Sequence, residues 1–301
     1  MSCNRTLVRT WLFALLLAFP LAGHAADRVT LEHNGLTLIG HLQSVTDPAD
    51  GVILMLHGTL AHGRMETMAA AQDLLADHGL NSLSVNLSYG IDAREGMFEC
   101  DRPVTHGVEE HFAELDAWIA WLQEEGFGPV SLLGHSRGGN QVARYVQEWG
   151  ADDIRALVLV APSTFDAERA ASSYEAQSGM PLVVRLDQAR ELTRMDQPET
   201  LLQGVRFLFC ESLDVAPRAF LGYYDPERAH DTPSVVDGIA VPTLVIIGSE
   251  DDVVADLPER MAEIEHRDAI TTVTIDGADH FFRDFFADDV ADAVADFIGQ
   301  R

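Results

Sequence analysis

Residues 132–140, LLGHSRGGN, place a serine between two glycines at the end of an apolar run. The apolar run predicts a buried strand, and the helical spacing of Val142 and Val146 predicts a helix directly after the serine. Gly and Ser are common in turns, so an ordinary strand-to-helix turn is one interpretation. The sharper interpretation is a nucleophile elbow, in which Ser136 has a strained backbone and side chains at positions 134 and 138 would collide with the turn.

Strands and helices alternate on both sides of this turn. Continuous apolar runs are typical of strands buried on both faces of a parallel sheet, and segments between them have helical spacing, as at Met68, Ala71 and Leu75. The first strands form a hairpin that turns at Asn34 and Gly35. These patterns predict an α/β fold with a mostly parallel central sheet and helices on both faces. The predicted strands lie in RVTLEHNGLTLIGHL, GVILMLHG, NSLSVNLS, PVSLLGH, IRALVLVAP, VPTLVIIGS and AITTVTIDG.

The alternation is interrupted between residues 163 and 240. This part contains helical patterns such as PLVVRLDQARELTRM and SLDVAPRAFLGYY, and only VRFLF resembles a strand. We interpret it as a mainly helical cap insertion over the carboxyl ends of the strands, where ligands bind in open α/β sheets. The insertion divides the core into an N-terminal part, residues 26–162, and a C-terminal part, residues 241–301.

Acidic residues and a histidine follow two later strands of the predicted sheet. Asp251 and Asp252 come shortly after VPTLVIIG, and His280 follows AITTVTIDG. A serine hydroxyl is a weak nucleophile that needs a base, and the base needs a carboxylate to orient it. In this type of fold the three groups occur in the order serine, acid, histidine, each at the end of a strand. The sequence therefore predicts a catalytic triad of Ser136, His280 and one of the two aspartates.

Together these motifs resemble the α/β-hydrolase superfamily with a cap insertion, over nearly the whole chain after its first 25 residues. The acid of that superfamily commonly lies in a Gly-x-x-Asp-x-x-Val pattern, which residues 248–254 match. The resemblance therefore implies Asp251 as the acid, with Asp252 as the second candidate. The similar motif GADHFF implies His280 as the base.

The loop LHGTLAHG, residues 56–63, resembles the loop that lends a backbone amide to the oxyanion hole of these enzymes. The resemblance implies the amide of Thr59 together with that of Arg137, and Leu60 is the alternative donor. Leu60, Phe220 and Tyr223 are also weaker candidates for the lining of a substrate site. For Phe220 and Tyr223, which share a helical face, packing inside the cap is the alternative.

The resemblance implies a serine hydrolase that cleaves an ester or thioester of a small molecule through an acyl-enzyme, without a cofactor. Acyl transfer, amide cleavage and perhydrolysis use the same triad and stay open. A catalytically silent binding protein that keeps the fold also stays open. The motifs SLLGHSRGGNQVARY and FECDRP resemble those of uncharacterised exported members of the superfamily. The sequence does not specify an oligomeric state.

Residues 1–25 have the organisation of a secretory signal peptide. Arg5 and Arg9 precede an apolar run over residues 11–21, and the small residues Gly23 and Ala25 follow. The run is short for a membrane span, so we expect cleavage near Ala25 and export to the periplasm or the medium. An uncleaved anchor is the alternative. No other segment is apolar enough to cross a bilayer, so we expect no stable membrane anchor after cleavage.

Two cysteines, Cys100 and Cys210, remain after this cleavage. In an oxidising compartment they can form a disulfide, and two separate buried thiols are the alternative. His106 and His111 are five residues apart, which does not align them on one helix face, and no cysteine cluster accompanies them. The sequence therefore predicts no metal site.

The chain is strongly acidic. It has 48 acidic and 20 basic residues and a formal net charge of -28, and all the basic residues are arginine. Phosphate binding requires the opposite sign of charge, which argues against nucleic acid as a partner. The acids are scattered along the chain and predict a strongly solvated surface. Adaptation to a salty habitat and an ordinary acidic protein both agree with this composition.

The acidic surface generates a test of salt adaptation. Sodium chloride should raise the melting temperature progressively from low millimolar towards molar concentration, because added ions screen the repulsion between carboxylates. Differential scanning calorimetry over this range measures the effect. A melting temperature that stays flat or falls with salt would remove the salt-adaptation hypothesis and leave the ordinary acidic protein.

Overall fold

The computed structural model describes residues 25–197, 200–226, 231–264 and 268–300. The predicted signal peptide, residues 1–25, lies outside the described residues except for Ala25, so its cleavage and the export of the chain stay predictions. Within the described ranges, no helix has both the length and the apolar character that crossing a bilayer requires.

The strands form where the sequence has continuous or alternating apolar residues. Residues 52–56 are all buried, as expected for a strand covered on both faces. In the described ranges the strands are β1 (Asp27–His33), β2 (Leu36–Gln43), β3 (Val52–Leu56), β4 (Ser82–Asn86), β5 (Val130–His135), β6 (Ile154–Val160), β7 (Leu202–Phe207), β8 (Cys210–Val215), β9 (Thr243–Gly248) and β10 (Ile270–Ile275).

The helices lie between the strands and end at residues that suit helix termini. The first helix ends just before Gly79, whose φ of 74° only glycine adopts easily. The described helices are α1 (Glu66–Asp77), α2 (Val108–Glu124), α3 (Arg137–Trp149), α4 (Ala167–Ser178), α5 (Leu182–Arg194), α6 (Pro217–Tyr224), α7 (Thr232–Val236), α8 (Leu257–Ala262) and α9 (Phe285–Gly299).

Eight strands form the central sheet in the order β1-β2-β4-β3-β5-β6-β9-β10. The six strands from β4 to β10 in this order are parallel to one another, and β2 is antiparallel to β1 and β4. Every residue of β3, β4, β5 and β9 is buried, which requires cover on both faces of the sheet. Helix α1 packs against α9, and α2 packs against α3. The prediction of a mostly parallel sheet between helices is confirmed.

The segment between β6 and β9, residues 161–242, interrupts this order and is called the inserted segment below. It contains the helices α4–α7 and the antiparallel hairpin β7-β8. The predicted helix over SLDVAPRAFLGYY is wrong for its first part, because residues 212–215 belong to β8. Leu213 and Val215 are buried on either side of the exposed Asp214, which is strand periodicity. The helix α6 begins only at Pro217, a residue suited to the first helical position.

The inserted segment is joined to the loop that follows β4. A disulfide links Cys100 of that loop to Cys210 at the start of β8. Val104 in the same loop pairs with Val215 in a parallel bridge. The Arg218 side chain of α6 donates a hydrogen bond of 2.9 Å to the carbonyl of residue 105. The loop and the inserted segment therefore form one packed unit at the carboxyl ends of the parallel strands.

Candidate active site

Ser136 lies at the tight turn between β5 and α3. Its φ of 57° and ψ of -122° are in a region that residues other than glycine rarely adopt. Its amide donates to the carbonyl of Val160 at 2.9 Å, and its carbonyl accepts from the amides of Gly139 and Ser163 at 3.0 and 3.1 Å. These bonds hold the strained backbone in place and leave the hydroxyl partly exposed.

The flanking glycines make this turn possible. A Cβ atom at Gly134 would come closer than 3.0 Å to the carbonyl of Gly138, and one at Gly138 would come equally close to the carbonyl of His57. These neighbours are backbone atoms that cannot rotate away, so both positions require glycine. At Gly58, in the loop after β3, a Cβ would lie 3.2 Å from that of Ser136, so this loop passes close to the serine side chain.

His280 lies in the turn after β10 and faces the serine. Its Nε2 is 2.9 Å from Ser136 Oγ, and the residue is only 4% exposed. Two contacts hold this turn in position. The Thr67 hydroxyl of α1 donates to the carbonyl of Phe281 at 3.1 Å, and the imidazole of His135 donates through Nε2 to the carbonyl of His280 at 2.8 Å.

Asp251 follows β9 and completes the arrangement. Its Oδ2 is 2.8 Å from His280 Nδ1, and its Oδ1 accepts the amides of Val253 and Val254 at 2.8 and 3.0 Å. Burial opposes ionisation of this carboxyl, but these hydrogen bonds outweigh burial and lower its pKa. Asp252 is exposed. Of the two aspartates left open by the sequence, the structure places Asp251 against His280.

Residues 53–297 match the profile of the alpha/beta hydrolase family, which covers most of the chain. The chain belongs to this family. No curated protein shows significant sequence similarity to it.

Several solved structures have a similar fold. Est1E from Butyrivibrio proteoclasticus is 17% identical with a TM-score of 0.63, over 91% of this chain and 98% of that one. The esterase Pf2001 of Pyrococcus furiosus is 16% identical with a TM-score of 0.60, over 91% of each chain. The monoacylglycerol lipase of Paleococcus ferrophilus is 18% identical with a TM-score of 0.60, over 88% of this chain and 99% of that one. At such identities the likeness shows the fold alone.

The loop over residues 56–63 passes beside Ser136 in this α/β hydrolase, as its sequence resemblance implies. The Arg137 side chain donates from Nε to the hydroxyl of Thr59 at 3.3 Å, which places these two residues side by side. None of the hydrogen bonds between described residues uses the backbone amide of Thr59 or Arg137. Leu60 is fully buried with a φ of 52°, and its amide lies beside the Tyr89 hydroxyl.

Arg94 supports this loop and was not predicted from the sequence. It is 5% exposed, and its guanidinium donates to the carbonyls of Ala61 at 2.8 Å, Gly96 at 2.7 Å and Leu87 at 2.5 Å. It also lies 3.2 Å from Nε2 of His57, whose pKa is well below its usual value because of burial and this cation. The sequence could not predict the role of Arg94, because it lies in an irregular loop. Its partners are backbone carbonyls and a ring that is distant in the chain.

The two histidines of the rejected metal pair, His106 and His111, have structural partners. His106 lies 3.4 Å from Glu114, and His111 is 3.0 Å from the amide of Gln141. Burial lowers the pKa of both His111 and His135 to about 4, so both rings are neutral at pH 7. Among the described residues, no three His, Cys, Asp or Glu side chains are grouped so as to hold a metal ion.

The two aromatic candidates of the inserted segment have different surroundings. Phe220 is fully buried and packs with Tyr174, Phe207 and Tyr224, with ring centroids 4.8–6.4 Å apart. Phe220 therefore packs inside the inserted segment and does not line a substrate site, which was the other role considered for it. Tyr223 is also buried, but the guanidinium of Arg137 lies over its ring, 4.9 Å from the centroid. The structure thus places Tyr223, and not Phe220, next to the serine turn.

The elbow glycines generate a stability prediction. Gly134→Ala should lower the free energy of unfolding by more than about 3 kcal/mol, because the new methyl group meets backbone atoms in a turn that cannot widen. Gly299→Ala is the matched control, since no heavy atom lies within 4 Å of its Cβ position. Urea denaturation followed by circular dichroism measures both. Equal stabilities of the two variants would contradict the close approach at the elbow.

Proposed function

We propose that this chain is a serine hydrolase that cleaves esters or thioesters of small molecules through an acyl-enzyme. The observation that carries the proposal is the continuous chain of hydrogen bonds from Ser136 Oγ through His280 to Asp251, with distances of 2.9 and 2.8 Å. A nucleophile, a base and an orienting acid within hydrogen-bond reach are the requirement for covalent catalysis by serine.

The arrangement assigns a role to each side chain. His280 Nε2 takes the proton of Ser136 Oγ as that oxygen attacks the acyl carbon, and it then gives the proton to the departing alcohol or thiol. Asp251 accepts the hydrogen bond from Nδ1, which selects the tautomer that leaves Nε2 free to act as a base. Water, activated by the same imidazole, then cleaves the acyl-enzyme and restores the serine.

We assign the oxyanion hole to the amides of Thr59 and Arg137. Both amides lack a partner among the described residues, and both belong to segments that adjoin Ser136. The alternative donor, the amide of Leu60, already lies beside the Tyr89 hydroxyl. We therefore prefer the amide of Thr59. Two fixed amides stabilise the developing oxyanion without reorganisation during the reaction.

Ester or thioester cleavage is supported by two kinds of observation. The triad geometry argues against a silent binding protein, because such a protein has no need of a strained serine in contact with a base. The similar structures include an esterase from Pyrococcus furiosus and a monoacylglycerol lipase from Paleococcus ferrophilus, and Est1E has been solved with ferulic acid bound. We therefore prefer an acyl ester as substrate over an amide.

The proposed triad predicts a ranking of variants. Ser136→Ala and His280→Ala should each reduce kcat/KM for a simple acyl ester by on the order of a thousandfold or more, and the double variant should lose little beyond either. Asp251→Asn should lose less but still heavily, because its oxygen stays with the amides of Val253 and Val254. Its NH2 group then donates to Nδ1, which leaves the proton on Nε2 and removes the base. Initial rates with 4-nitrophenyl esters of increasing chain length measure these effects.

Asp252→Asn is the matched control, because it removes the same charge from the next residue, which is exposed. It should keep most of the activity, and the reverse ranking of the two aspartates would reject the proposed acid. A fluorophosphonate reagent should also label Ser136 of the wild type, as found by mass spectrometry. A folded wild type that neither takes the label nor cleaves any ester or thioester would overturn the proposed function.

We further propose that the enzyme is exported, with cleavage near Ala25. The disulfide between Cys100 and Cys210 supports an oxidising compartment. N-terminal sequencing of the secreted or periplasmic protein should begin near Ala26. A mature protein that retains Trp11 would refute cleavage at this site.

A further inference from the structure

Arg137 has an electrostatic environment that its position in the fold does not explain. It is the first residue of α3, so its backbone lies at the positive end of the helix dipole, where a cation is unfavourable. Several other arginines of this acidic chain face a carboxylate, as Arg190 faces Asp225 at 2.9 Å. Among the described residues, no carboxylate lies within ion-pair distance of Arg137. Among the same residues, its side chain has one hydrogen bond, which it donates to the hydroxyl of Thr59 at 3.3 Å.

A second unpaired donor lies next to this guanidinium. The hydroxyl of Tyr223 is buried and has no hydrogen-bond partner of acceptable geometry among the described residues. The Tyr89 hydroxyl lies beside it, and the two hydroxyls interact with each other. Within such a pair only one of the two protons can be donated, so the other is available to a ligand. Burial raises the pKa of both phenols, so both remain neutral donors.

A partly exposed cation and a buried pair of hydroxyls therefore meet beside the serine, with no carboxylate among the described residues to accept from them. A buried polar group without a partner is unfavourable unless a ligand supplies one. The missing partner must be an acceptor and preferably an anion, and a carboxylate matches the planar fork of a guanidinium. In a chain of net charge -28, an arginine that no described carboxylate neutralises is also the group that a negatively charged substrate needs.

We propose that Arg137 and the hydroxyl of Tyr223 form a subsite for a carboxylate of the substrate. The preferred substrates are then esters that carry a negative charge close to the scissile bond. This inference rests on the proposed hydrolysis at Ser136, because the subsite adjoins that serine. It assigns the Arg137 side chain a binding role that is separate from the role of its backbone amide.

A purely structural role for Arg137 makes a different prediction. Its guanidinium touches Thr59 of the loop over residues 56–63 and the ring of Tyr223 in α6, so it also joins the core to the inserted segment. If that is its whole role, its loss lowers the melting temperature and leaves the preference between charged and neutral esters unchanged. The ratio of two matched substrates therefore separates the two roles.

Two pairs of esters test the proposal, one for each side of the scissile bond. On the acyl side, 4-nitrophenyl hemiglutarate is compared with 4-nitrophenyl pentanoate, and on the alcohol side 4-acetoxybenzoate is compared with 4-acetoxybenzamide. In at least one pair the wild type should prefer the charged ester in kcat/KM. Arg137→Gln should reduce that preference by about tenfold to a hundredfold, the effect expected for loss of a charge-assisted hydrogen bond.

Two further variants sharpen the comparison. Tyr223→Phe keeps the ring under the guanidinium and removes only the hydroxyl, so it should reduce the preference by about twofold to tenfold. Arg64→Gln is the matched control, because it removes the same charge from an exposed position and should leave the ratio at its wild-type value. Melting temperatures of all variants show whether each one is folded.

The outcomes distinguish this proposal from the proposed function. Ester hydrolysis with a ratio that Arg137→Gln leaves unchanged would overturn the carboxylate subsite and keep the hydrolase. If no ester is cleaved, calorimetric binding of 4-nitrophenyl hemiglutarate to Ser136→Ala tests the subsite directly. It should be tighter than binding of the pentanoate and should weaken at least tenfold when Arg137→Gln is added. Equal binding of the two esters would refute the subsite.

Discussion

The strained backbone of Ser136 is the constraint on which the rest of the site depends. A φ of 57° at a serine persists only where surrounding structure holds it, and here β6 and the first turn of α3 supply the hydrogen bonds. The turn is closed so tightly that no side chain fits at Gly134 or Gly138. The serine hydroxyl therefore projects from the end of β5 in a fixed direction. The other residues of the site must lie in loops that approach this hydroxyl.

Those partners arrive from strands that are distant in sequence. Asp251 and His280 follow β9 and β10, and the turn that carries His280 packs so closely that a Cβ at Gly248 would meet its backbone. The loop after β3 comes from the other side and is held by the buried Arg94. Because parallel strands end at the same edge of the sheet, three separate loops converge there. The precision of the site therefore comes from packed loops and not from any one motif.

The sequence predicted the parts of the site that obey local rules. Gly134, Ser136 and Gly138 formed a recognisable pentad between a strand and a helix, and the ends of two later strands located the candidates for the acid and the base. Its local patterns did not separate Asp251 from Asp252, which only the family resemblance ranked, since both follow β9 and only the direction of the chain brings one to His280. It also mistook residues 212–215 for helix, because a short alternating strand in a hairpin carries little periodic signal.

The sequence by itself determined the α/β class, the order of the strands outside the inserted segment, and the positions of Ser136 and His280 at strand ends. Periodicity and turn residues encode these locally, so they can be recognised in one chain. Only the tertiary structure decided that Asp251 faces the base, that Arg94 holds the loop after β3, and that Arg137 stacks on Tyr223. Each of these contacts joins residues far apart in the chain, and their distances depend on how the sheet, the loops and the inserted segment pack together.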